Sequence, residues 1–152
     1  MVTTQEAKRF LERARDARRQ ADLAMAITRR LNEDYGVSGM RYDTPRVQTS
    51  AAGDALERLA IAREEAVLRL TIAVRDALDV QRRIFDLIQQ LEDPDDMVVL
   101  TVRYLEGTRY EDLSEALATR GVYVGQRQAC RLLSRAIGRF AQIMDRAGVR
   151  AA

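Results

Sequence analysis

Starting at Thr4, the positions Phe10, Ala14, Ala17, Ala21, Ala24, Thr28 and Leu31 follow alternating steps of four and three. That spacing is a heptad seam and predicts a helix over about 4–34. Thr3 and Glu6 stand at capping-box spacing just before it. Small seam residues let another helix approach closely, so tight packing is expected along this face. A second seam runs through Leu56, Ala60, Val67, Leu70, Val74, Ala77, Ile84, Ile88 and Leu91, and predicts a helix over about 54–91. Asp54 and Glu57 give that helix a capping-box start, with room for a start a few residues earlier. Arg63 and Gln81 interrupt the seam. Either they specify register or pairing, or they lie at its edge with their heads in water. The stretch 36–53 holds Gly36, Gly39, Pro45 and Gly53 among Ser and Thr and reads as a linker, with Met40 and Tyr42 placed to pin part of it down. Residues 1–92 are thus expected to form a long helical hairpin or coiled-coil arm. The same seams can pair within one chain or between copies in a homo-oligomer.

The periodicity shortens after residue 92. Asp93-Pro94-Asp95-Asp96 is a helix start, with a capping carboxylate, a proline that fits the first turn, and two more carboxylates at the positive end of the dipole. Val98, Val99, Val102 and Leu105 supply its apolar positions, and Gly107 ends it. Thr108-Arg109-Tyr110-Glu111 has capping-box spacing and is expected to open a second helix, with Tyr110, Leu113, Ala116 and Leu117 on one side and Gly121 at its end. A third helix is expected from about Gln126 past Phe140. Ala129, Leu133, Ala136, Ile137 and Phe140 form its inward stripe, and Arg127, Arg131 and Arg135 recur every four residues on another face. The fold class expected is all-α: the helical arm, then a three-helix helix-turn-helix unit over 93–148.

Arg103-Tyr104-Leu105-Glu106-Gly107, followed by Tyr110-Glu111-Asp112-Leu113 and Leu117, resembles region 4 of sigma-70-type factors, and Arg131-Leu132-Leu133-Ser134-Arg135-Ala136 resembles the end of that module's recognition helix. The chain is similar to small sigma-region-4-like proteins of phages and prophages, a group that includes late-gene transcription regulators. In those, a Tyr-Asp-containing linker precedes a long helix, as Tyr42-Asp43-Thr44-Pro45 does here. The specific match covers roughly the last third of the chain. The family usually places Ser or Thr at the start of the recognition helix, where this chain has Val124-Gly125, and the turn from Gly121 to Gly125 is long. The resemblance implies a double-stranded DNA ligand and, as a further partner, RNA polymerase. In a helix-turn-helix the early residues of the last helix reach base edges, which singles out Gln126, Arg127, Gln128 and Arg131. Gln suits adenine and Arg suits guanine through paired hydrogen bonds. Arg135 and Arg139 further along, and Arg109 at the second helix's start, are placed for phosphates.

Composition changes this picture little. Charged residues make up 32% and aromatics 5%, with two prolines, a profile that favours helices. The net charge is only +2, so the molecule is not a polycation. Its distribution is uneven. From Thr119 to Ala152 the arginines 120, 127, 131, 135, 139, 146 and 150 face one carboxylate, Asp145, whereas from Pro94 to Ala118 carboxylates outnumber Arg103 and Arg109. That suits one face for DNA and another for a basic partner, and equally suits solvated helix faces. Nearly all cations are Arg, which has a genomic source as readily as a functional one.

Several classes of chemistry are missing. There is no histidine, so the commonest general base and metal ligand is absent. Cys130 is the only cysteine, which excludes a disulfide within the chain, provides no cysteine pair for zinc, and fits a reducing cytoplasm. No glycine-rich phosphate loop or transmembrane-length apolar run occurs in the sequence, and no signal peptide is expected. No enzyme, cofactor, metal or membrane is expected. The rivals to a DNA-binding regulator are a phage small terminase subunit, which joins a helix-turn-helix to long helices in a DNA-packaging oligomer, and a protein-interaction module that no longer binds DNA. A complete sigma factor is not expected, because the front half has no Trp and only Phe10, Tyr35, Tyr42 and Phe85 as aromatics for trapping flipped bases.

Overall fold

The computed structural model describes residues 1–37 and 50–150, and every regular element among them is a helix. The protein is all-α. Helix α1 runs over Thr4–Val37, α2 over Ser50–Ile88, α3 over Pro94–Leu100, α4 over Leu113–Ala118 and α5 over Gln126–Arg146. A π-helical turn, Thr101–Leu105, continues α3. Both long helices reach further than expected, into the stretch assigned to the linker. The Tyr42-Asp43-Thr44-Pro45 run and Met40 lie outside the described residues.

The helix starts follow from local chemistry. Thr3 N–H and Oγ1 both donate to Glu6 Oε2 (2.7 and 2.8 Å), and Glu6 N–H donates back to Thr3 Oγ1 (3.2 Å), which completes the expected capping box. Asp93 Oδ1 accepts from Asp95 N–H at 3.0 Å, with Pro94 in the first turn of α3. Gly121 ends α4 with φ +83°, and Val122 N–H then reaches Leu117 O at 2.9 Å.

The chain divides into two compact units. The first joins Met1–Arg19 to Ala77–Ala152. Its core is one cluster. Ala7, Phe10, Leu11 and Ala14 come from the start of α1, and Ile84, Leu87 and Ile88 from the end of α2, with Leu91 just beyond it. Val99, Leu100, Val102, Tyr104, Leu113 and Leu117 join them, as do the five expected inward residues of α5. The Phe10 and Phe140 rings stack at 6.4 Å between centroids. The core therefore does not divide at residue 92, because the ends of both long helices belong to it. The second unit is Gln20–Asp76. There Ala21 and Ala24 are buried, and Thr28, Leu31, Val67, Leu70 and Val74 are half-buried. Arg63 Nη2 donates to Asn32 Oδ1 at 2.9 Å, so the interrupting arginine makes a polar link on the seam side.

Two expectations fail locally. The second short helix begins at Leu113, not at Thr108, and the expected 108–111 capping box is not made. Thr108 is committed backwards instead: its N–H donates to Val102 O (3.2 Å), and its carbonyl accepts from Arg103 Nη1 (2.6 Å). Residues 109–113 then form tight turns, with Asp112 N–H on Arg109 O and Leu113 N–H on Tyr110 O. The second failure is in α3. Glu106 N–H donates to Thr101 O, a five-residue step that inserts one extra residue into the last turn. The buried face runs through Asp96, Val99, Leu100 and Arg103, spaced three, four and seven residues apart, with Tyr104 beside it, and Leu105 is left half-exposed.

Candidate nucleic-acid interface

Helix α5 is strongly two-sided. Its inner stripe is buried, and its outer face carries the arginines at 127, 131, 135 and 139. The structure gives these four different surroundings. Arg127 and Arg131 are exposed, as is Gln128 between them, and none of the three has a hydrogen bond or ion pair among the described residues. Gln126 is exposed too, but its Nε2 donates to Tyr110 O and ties the start of α5 to the turn before α4. Arg109, in that same turn, is exposed and unpaired among the described residues.

Arg135 and Arg139 have partners inside the chain. Arg135 Nη2 lies 3.0 Å from Asp96 Oδ1 and 3.1 Å from Asp93 Oδ2. Arg139 Nη1 lies 2.5 Å from Asp96 Oδ2 and 3.1 Å from Asp93 Oδ2. Asp96 is fully buried beneath them, whereas about half of each Arg side chain remains exposed. The two carboxylates sit three apart at the start of α3 and the two guanidiniums four apart on α5, so each pair shares a helix face. This four-residue clamp fastens α3 to the middle of α5. Hydrogen bonds from Asp95 N–H, then the neighbouring arginines, hold the Asp93 carboxyl below its ordinary range. Bonding to Asp96 raises Arg139 further. These two arginines are engaged structurally, so the phosphate role expected for them has a competitor already in place.

The turn that precedes α5 sets its start. Ser114 Oγ donates to Val124 O at 2.7 Å and pins the long Gly121–Gly125 turn against α4. Gly125 occupies the cap position with φ −71°, ψ 166°, and gives α5 no side-chain cap. The first amides of α5 therefore lack the usual Ser, Thr or Asp acceptor. Tyr123 stands 82% exposed on this turn. Glu111, Ser114, Glu115, Ala118, Tyr123, Val124 and Gln126 line an open concavity next to it.

Sequence pattern misses two features of this region. Asp96 reads in the sequence as a helix-start charge only, although the three-residue and four-residue spacings are there to pair it with the α5 arginines. Arg103 stands out only as part of a motif. It is 4% exposed, and its guanidinium lies 3.9 Å above the Tyr110 ring centroid and 5.6 Å from that of Tyr104. The stack, with the Arg103–Thr108 bond, shapes the turn that presents Arg109. Burial pushes the Tyr104 hydroxyl upward, and Tyr104 therefore stays neutral. Cys130 is half-buried.

No family model, curated protein or solved structure matches the chain. No helix among the described residues is long and apolar enough to cross a membrane.

Proposed function

We propose that this chain is a sequence-specific DNA-binding transcription regulator, similar to sigma region 4 proteins of phage or prophage type, and not an enzyme. In this reading α4, the turn and α5 form the helix-turn-helix, and α5 enters the major groove. The observation that carries it is the split along one arginine stripe. At the N-terminal half of α5, Arg127, Gln128 and Arg131 are exposed and unpaired among the described residues, where a recognition helix presents base-reading groups. Further along, Arg135 and Arg139 are held by Asp93 and Asp96. Long unpaired donors at the tip offer paired hydrogen bonds to guanine (Arg) and adenine (Gln). Arg109 beside them serves as a phosphate contact, and Gln126, tied to Tyr110, contributes to placing the helix.

A second reading has its own observation. Glu111 and Glu115 border the concavity beside exposed Tyr123, an arrangement that fits a basic protein segment better than phosphate. Titration of labelled duplexes at several salt concentrations separates the two. The regulator reading predicts binding whose affinity falls steeply with salt, and no binding at any salt would leave only the interaction module.

A further inference from the structure

The unit Gln20–Asp76 buries very little of its own apolar surface: Ala21 and Ala24 are its only buried residues among those described. On α2 of this unit, Ile61, Leu68 and Ile72 are 51%, 61% and 50% exposed. Their spacing of seven and four puts them on one stripe, opposite the half-buried Val67, Leu70 and Val74. The stripe is a second heptad seam, on the outward side of the helix, and Glu65 and Arg75 complete it at positions four and three residues away. Both are exposed, and neither has a partner among the described residues.

We propose that this outward stripe of α2 pairs with the same stripe of a second copy, antiparallel, through a two-fold axis at the level of Leu70. Charge selects that direction. Antiparallel pairing sets Leu68 against Ile72 of the second copy and Glu65 against Arg75 of the second copy, each twice. Parallel pairing would set Glu65 on Glu65 and Arg75 on Arg75 in the seam itself. About that axis the matched stretch runs from Glu65 to Arg75, about 15 Å, and Ile61 falls opposite Asp79 of the second copy. Such an interface is small, so the dimer forms and dissociates with concentration.

Sedimentation equilibrium of the full chain over a wide concentration range tests this. The mass should rise with concentration from the 17.2 kDa of one chain to twice that value and stop there. Leu68→Glu with Ile72→Glu should raise the dissociation constant at least about tenfold while circular dichroism stays unchanged, because both side chains face outward in the monomer. Glu65→Arg and Arg75→Glu should each weaken pairing, and the two together should restore it. A mass fixed at one chain, a ring-sized mass, or charge reversals that fail to rescue each other would overturn the proposal.

Discussion

A single buried carboxylate organises the basic face of α5. Asp96 is wholly enclosed and receives both Arg135 and Arg139. Asp96→Asn keeps the shape but removes the charge that both guanidiniums address. It should destabilise the protein by about 1–3 kcal/mol, below the full cost of breaking a buried pair because both arginines still reach water. Denaturant unfolding at pH 7 checks this, and an unchanged midpoint would mean that the clamp contributes nothing. At the other end of the stripe, Arg127→Ala and Arg131→Ala should leave the unfolding midpoint in place. Each should weaken binding to a preferred duplex by ~1–3 kcal/mol, read from titrations against a scrambled duplex. Equal loss on both duplexes would assign these arginines to phosphates instead of bases. The inward stripe of α5 is legible from periodicity alone. The fate of Arg135 and Arg139 is not, because a basic stripe looks the same whether its partner is DNA or a carboxylate on another helix.

At the scale of elements, caps and glycines govern how α4 and α5 are presented. Gly121 has φ +83°, and a Cβ added there would meet no neighbouring atom, so Gly121→Ala carries a backbone penalty alone, about 1–2 kcal/mol. Gly125 is the opposite case. Its extended backbone suits any residue, nothing crowds it, and α5 lacks a side-chain cap. Gly125→Ser should therefore stabilise the protein by a few tenths of a kcal/mol. Thermal melts of the two variants should move in opposite directions, and a shared direction would refute this account of the turn. The helix starts at Thr3 and Asp93 are readable because their caps are contained in four consecutive residues. The start of α4 is not. Thr108 has the right residue spacing for a cap, but its N–H is claimed by Val102 across the positive-φ Gly107, and its carbonyl by Arg103. One extra residue in a helix turn leaves no mark in local spacing, whereas Arg103 follows Asp96, Val99 and Leu100 on one buried helix face.

Over the whole molecule, the absence of histidine leaves acidic groups to set the pH dependence of stability. Glu6 is held below its ordinary value by the Thr3 amide and hydroxyl, and Asp93 by the Asp95 amide and the clamp arginines. A carboxyl with a lowered pKa in the folded state binds fewer protons folded than unfolded. Its contribution is present above the ordinary carboxylate range and is lost as pH falls through the lowered value. The denaturant midpoint should be nearly flat between about pH 5 and 7 and should drop below about pH 4. The drop should be shallower in a Glu6→Gln, Asp93→Asn double variant; an identical drop would place the acid sensitivity elsewhere. The central claim, that the free end of α5 reads DNA sequence, is tested most directly by selecting bound molecules from a pool of random duplex DNA and sequencing them. The account predicts enrichment of a short consensus with guanine and adenine at fixed positions, lost when Arg127 and Arg131 are both replaced by Ala. A selected pool indistinguishable from the input would contradict it.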